Sequence, residues 1–228
     1  MTQRHSRIIG LVYLSFFFAS IMSDYFIKGL IVKNDAQATV NNILAHEALF
    51  RAGIATGLIE TAFYVALVAL FYHLFRPVSH RVSVLAGFFG LVGCAIQASG
   101  SVFEVFLLAL LQNPQAASLL RSEQLPAVAA LLLNLNDATG EVALIFFGAY
   151  CLLIGCLILR SFFLPRILGI LMVIAGSGWL TFLYPPLANA IFAVVAGIGI
   201  IAASLMLWLL VMGVKSERWL EQARGEQT

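Results

Sequence analysis

The chain has 228 residues, 61% hydrophobic and 11% charged, with a formal net charge of +2 and a mean hydropathy of +0.98. A soluble domain carries roughly 45–50% apolar and about 25% charged residues, so both departures exclude an ordinary soluble globule and point to a polytopic membrane protein. The apolar runs are continuous rather than alternating over segments of about ten residues, which excludes a transmembrane barrel in favour of helices.

Taken in order, the sequence predicts six spans. The first apolar run, Ile8 to Ile27, is of membrane length and lacks a small-x-small cleavage site, so it reads as a retained span rather than a cleaved signal peptide. Residues 28–50 are too charged to span. Asp35 stands where an N-cap would, and Val40, Ile43, Leu44 and Phe50 recur at helical spacing. This predicts a short amphipathic helix lying on the membrane surface. The second span runs over about 51–75 and closes at Arg76-Pro77; the third runs over about 82–111.

Gln112-Asn113-Pro114 is a stop, and Ser122 to Pro126 is a new helix start. Leu125 to Leu135 is apolar but too short for a core of about 30 Å. It is expected to extend the fourth span outward or to lie in the interface. The fourth, fifth and sixth spans fall at about 139–159, 167–184 and 188–214, before a charged tail. The expected fold is all-α: one polytopic domain, 1–228, with six membrane helices, an interfacial helix after the first and a helical extension before the fourth.

Six spans place both termini on one side. That side holds Arg4, Arg7, Arg76, Arg81, Arg160, Arg166, Lys215, Arg218 and Arg224; the other holds Lys28, Lys33, Arg51 and Arg121. The basic residues lie on the cytoplasmic side of such proteins. The expected orientation therefore puts both termini in the cytoplasm.

Small and polar residues line up along the spans. The stripes are Gly10, Tyr13, Phe17, Ser20 and Asp24; then Gly53, Gly57, Glu60 and Tyr64; then Gly87, Gly90, Cys94, Gln97, Ser101 and Glu104. On the fourth span Asn134, Asp137, Glu141, Gly148 and Gly155 share a face. Small residues let helices approach in lipid and polar ones bond across, so these stripes predict inward faces. Depth places Asp24, Glu60, Glu104, Asp137 and Glu141 in the outer half of the membrane, with Arg51 and His46 at the same level as potential partners.

A charged side chain deep in a bilayer persists when paired, protonated or facing water, which singles out Glu60 and Glu104. The expected site is an outward-facing pocket lined by Glu60, Glu104, Gln97, Glu141, Tyr64, Arg51, Asp24 and Asp137. The bland alternative is a hydrogen-bond cluster, Glu60 to Gln97 or Tyr64, that fixes helix register. A lone His46-Glu47 pair is a weak metal signal, although His46 converging with Glu60, Glu104 and Glu141 would resemble carboxylate-rich bundle sites. Cys94, Cys151 and Cys156 sit in apolar runs at no metal spacing and read as small hydrophobes. No phosphate loop, nucleophile elbow, zinc motif or redox pair is present, so no cofactor or catalytic residue is assigned.

The runs NILAHEALFRAG (42–53), LFRPVSHRVSVLAGFF (74–89) and LIFFGAYCLLIGCLILRSFFLPRILGILMVIAG (144–176) resemble a bacterial membrane family catalogued as domain of unknown function four-three-eight-six. The resemblance extends from Arg7 to Lys215 and implies a multi-spanning inner-membrane protein; no activity comes with it. Three functions follow from the residues. The first is a small-molecule or lipid binder, with paired acids also suited to protonating a double bond or ether oxygen. The others are a proton-coupled transporter or channel and a non-catalytic assembly subunit. The bilayer is the expected partner in all three, and no basic patch outside the loops offers nucleic acid a surface.

Overall fold

In lipid, each spanning segment must satisfy its own backbone, and helices do so internally. The computed structural model describes residues 3–113, 124–184 and 204–225, with 115, 121, 186–188, 190, 191, 194 and 197. All regular structure among these residues is helical: α1 (Gln3–Lys28), α2 (Ala36–Ala45), α3 (Glu47–Phe75), α4 (His80–Gln112), α5 (Gln124–Arg160), α6 (Arg166–Trp179), a 3₁₀ turn (Leu180–Leu183), α7 (Ser204–Val211) and α8 (Ser216–Gly225). Among the described residues five segments are long and apolar enough to cross a membrane: His5–Lys28, Glu47–Phe75, His80–Gln112, Gln124–Arg160 and Arg166–Leu183. The protein is a multi-pass membrane protein. The predicted sixth span, 188–214, falls partly outside the described residues; within it Ser204–Val211 (α7) is helical.

Helix α5 runs unbroken for 37 residues, about 55 Å at 1.5 Å per residue. That exceeds a hydrocarbon core of about 30 Å, so residues 124–136 continue the helix of the fourth span instead of forming a separate segment. Pro126 falls in its first turn, where a missing N–H breaks no intrahelical bond.

The chain divides into two compact units. One comprises Met1–Ser15, Phe63–Cys94 and Glu141–Thr228; the other comprises Phe16–Ala62 and Ala95–Gly140. The first unit has an apolar core that includes Ile9, Leu67, Phe71, Phe75, Ile154 and Leu205. Helices α5 and α6 meet in it through four glycines. A Cβ on Gly148 would lie 2.9 Å from the Gly176 carbonyl oxygen, and one on Gly155 would lie 2.9 Å from that of Gly169. Both pairs are spaced by seven residues, so two turns of each backbone are in register along one seam. On α1, a Cβ at Gly10 would come within 2.6 Å of the Leu210 nitrogen, which brings α7 against α1. Ser6 Oγ accepts from the Val214 N–H at 3.1 Å, just beyond Gly213, whose φ of +68° ends α7 in the left-handed region.

Helix α8 caps the same unit. Trp219 Nε1 donates to the Leu74 carbonyl at 2.9 Å, among the last carbonyls of α3, and Gln222 accepts from the Phe162 N–H at 3.2 Å.

The second unit has its own core of Leu30, Val40, Ile43, Phe50, Leu107, Leu132 and neighbours. Asp35 caps α2 by accepting from the Ala38 N–H at 2.8 Å. Its apolar face was expected to lie in lipid. Val40 and Ile43 are instead buried in this protein core, and Leu44 is left exposed. An amphipathic pattern reports only that a face is covered, and here α3, α4 and α5 residues cover it.

The seam yields a direct test. Gly176→Ala would push a Cβ to 2.7 Å from the Gly148 oxygen, whereas a Cβ on Gly87 meets nothing within 4 Å. Gly176→Ala is expected to destabilise the protein by about 1–3 kcal/mol through overpacking, and Gly87→Ala to leave it unchanged. Melting of both variants in detergent, by loss of monodisperse protein, makes the comparison; equal midpoints would remove the seam's role.

Candidate functional site

The second unit carries the polar residues that define the candidate site. Glu104 on α4 is 4% exposed and is the one charged side chain buried among the described residues. Asn136 Nδ2 on α5 donates to Glu104 Oε1 at 3.0 Å. The approach depends on Gly100, one turn before Glu104: a Cβ there would stand 2.7 Å from Asn136 Oδ1. Asn136 fills one of the roughly four acceptor positions of a carboxylate, so Glu104 keeps capacity for a proton, a cation or a ligand donor.

Glu60 on α3 is half-buried and faces Gln97 on α4, whose Nε2 donates to Oε1 across a long 3.4 Å. The hydroxyl of Ser20 on α1 faces the same carboxyl. Helix α1 is held against α3 here by Ser23, which donates to the Gly53 carbonyl at 3.1 Å, with Gly57 packed against its oxygen. Next to Ser23, Asp24 pairs with Lys28, four residues on, at 2.6 Å, both well exposed. Glu60 lies within electrostatic range of Asp24 and Lys28; Asp137 lies within range of both and of Glu104.

Of the expected pocket residues, Asp24, Glu60, Gln97, Glu104 and Asp137 therefore belong to this unit and to one electrostatic neighbourhood. Arg51 belongs to the unit but is engaged elsewhere, with Nε on Glu47 at 2.7 Å and Nη2 on Gln112 at 2.8 Å. Glu141 is exposed and opens the last segment of the first unit. Tyr64 also falls in the first unit, its ring packed 4.6 Å from Phe147 and 6.0 Å from Tyr150. The helical face drawn through Asn134, Asp137 and Glu141 is exposed at all three, while Gly148 and Gly155 on the same face are buried in the α6 seam.

An open cavity of about 640 Å³ lies in the second unit, lined by Asp24, Tyr25, Lys28, Gly29, Leu30, Asn42, His46 and Leu49. Asp24 is the one residue of the expected pocket on its wall. Lys28, Asn136 and Gly100 were not among the expected site residues. Lys28 was read only as an orienting charge, and Gly100 carried a visible signal in standing four residues before Glu104.

His46 Nδ1 is 3.2 Å from the Asn42 carbonyl, which can only accept, so Nδ1 carries the proton and Nε2 is left for other partners. Among the described residues no group of three or more His, Cys, Asp or Glu side chains is placed to hold a metal ion. His46 thus does not converge with Glu60, Glu104 and Glu141.

A family model described as Domain of unknown function (DUF4386) matches residues 8–213. No curated protein and no solved structure matches the chain.

Gly100, Asn136 and Glu104 should act as one unit. Gly100→Ala and Asn136→Leu are each expected to destabilise by about 1–3 kcal/mol, because each leaves the buried carboxylate without its donor. Combined, they should cost little more than either alone, since both remove the same bond. Unfolding the single and double variants in detergent measures the coupling; full additivity would show that Asn136 does not serve Glu104.

Proposed function

The chain belongs to the family described as Domain of unknown function (DUF4386), and we propose that it binds a small molecule or lipid between the helices of its second unit. The site comprises Asp24, Glu60, Gln97, Glu104, Asn136 and Asp137, reached through the cavity beside Asp24 and Lys28. The observation that carries this reading is Glu104, a buried carboxylate held by a single amide donor. A purely structural polar residue is ordinarily satisfied by its neighbours, whereas this one keeps most of its acceptor capacity.

The surrounding frame is a single polytopic domain of six spans in the bacterial inner membrane, with both termini cytoplasmic. Two observations support it. Helices α1, α3, α4 and α5 each supply residues to both units. The Lys/Arg residues divide nine to four between the predicted loops of the two sides.

Proton-coupled transport is less well supported, because a relay of carboxylates needs them along the whole path. The segments Met1–Ser15 and Phe63–Cys94 contain no carboxylate, and residues 142–184 contain none either.

Glu60→Gln and Glu104→Gln keep shape and remove charge. Native mass spectrometry of protein in mild detergent should show a bound small molecule or lipid on the unaltered chain. Occupancy should be at least about tenfold lower on either variant, as expected from losing one charge-assisted bond. Melting should be little changed. Equal occupancy on all three proteins would refute the site.

A further inference from the structure

The cavity beside Asp24 has features that specify a ligand class, and the inference rests on the binding reading above. Its walls carry both signs of charge: the Asp24 carboxylate and the Lys28 ammonium, 2.6 Å apart and 61% and 69% exposed. His46 adds the free Nε2 of its ring. Asn42 adds an acceptor, since its Nδ2 is committed to the Leu30 carbonyl at 3.2 Å and its Oδ1 is not. Leu30 and Leu49 supply apolar wall. A volume of about 640 Å³ is in the range of small-molecule sites, roughly 300–1,000 Å³.

An apolar strip leads away from this cavity. Phe18, Ile21 and Tyr25 stand on one side of α1 at steps of three and four, exposed at 66%, 63% and 71%, and Tyr25 is itself on the cavity wall. An exposed apolar strip on a membrane-crossing helix that ends at a charged cavity matches an amphiphile with its head in the cavity and a hydrocarbon chain along the helix.

We propose that this cavity binds a phospholipid whose head group joins a phosphodiester to a primary ammonium. Three arguments select that head. A lone anion would meet Lys28 but also Asp24, with Glu60 and Asp137 within electrostatic range, so the surroundings are net acidic. A lone cation would meet Lys28. A zwitterion exchanges partners with both, phosphate to Lys28, ammonium to Asp24, Asn42 Oδ1 and the acceptor His46 Nε2, and leaves the net charge unchanged. An exposed i,i+4 ion pair is weak, so separating Asp24 from Lys28 sacrifices little. The ammonium must be primary because its readers are hydrogen-bond acceptors. A quaternary ammonium is recognised by a cage of Trp, Tyr or Phe faces, and Tyr25 is the one such ring on this wall.

The same head-group chemistry exists in soluble form, and the test separates the sources. Full-length protein in mild detergent is exposed to equimolar phosphatidylethanolamine, phosphatidylcholine and phosphatidylglycerol of identical chains, and bound lipid is read by native mass spectrometry. Phosphatidylethanolamine should be retained about tenfold over the other two, the scale of one charge-assisted hydrogen bond. Lys28→Ala and Asp24→Asn, both at exposed positions, should each erase the preference at unchanged melting midpoint. Soluble glycerophosphoethanolamine should fail to displace the lipid, because it lacks the chain that lies on Phe18 and Ile21. Displacement by it would keep the head-group chemistry and overturn the lipid assignment. Equal retention of the three lipids, or a preference that survives both substitutions, overturns the inference entirely. If retention still depends on Glu60 or Glu104 while showing no head-group preference, the inference fails and the binding reading above stands.

Discussion

A carboxylate carried into a bilayer has no bulk water to hydrate it, and the second unit is organised around meeting that constraint. Glu104 could only be buried if α5 delivered a donor, and the donor could only arrive if α4 presented no Cβ at Gly100. The polar bond and the close approach are thus one device on two adjacent turns. Glu60 is handled differently. It is half-buried, receives a long hydrogen bond from Gln97, and sits in the field of the Asp24–Lys28 pair. The two acids therefore differ in burial: Glu104 is the more deeply buried, and Glu60 is open enough for its surroundings to be rearranged.

The first unit meets the opposite problem, which is to hold apolar helices together when lipid is as apolar as they are. Close backbone approach does this through packing rather than through hydrophobic drive. Gly148, Gly155, Gly169 and Gly176 bring α5 and α6 to carbonyl contact over two turns, and Gly10 lets α1 approach the α7 backbone at Leu210. The polar tail joins in because α3 and α5 end with unsatisfied carbonyls. Trp219 and Gln222 reach those ends, so an amphipathic helix substitutes for water there. The helices α1, α4 and α5 serve both regimes along their length, glycine-bearing in one stretch and polar in the other, whereas α3 carries its glycines, Gly53 and Gly57, in the polar unit.

Helix class, a multi-pass membrane protein and family membership were legible because they rest on composition, run length and local motifs. The details of the site were not, and particular residues show why. A helical wheel drawn in strict steps through Asn134, Asp137 and Glu141 picks a face, but which face meets α4 is decided by tertiary packing. Asn136, off that wheel, carries the bond, while Asn134 and Asp137 are exposed. Helix α2 shows the same limit: Val40 and Ile43 announced a covered face without saying whether protein or lipid covers it. Tyr64 lay on the Glu60 stripe, yet its ring packs with Phe147 and Tyr150, because aromatic contact outweighs one polar tip. Lys28 was counted only as an orienting charge, because its pairing with Asp24 and nearness to Glu60 come from packing.

That residue ties the site together. Lys28 is in contact with Asp24 and within range of Glu60 and Asp137, and it is the one cation placed among those three acids by the described contacts. Any ligand that draws its ammonium away leaves Asp24 within range of Glu60 and Asp137 with no cation among them, so their like-charge repulsion is no longer offset. Such a ligand must bring a positive group with it or be resisted. The cavity and the deeper acids are therefore not independent features. The Asp24–Lys28 pair belongs to both, exposed enough to exchange partners and close enough for the exchange to be felt at Glu60.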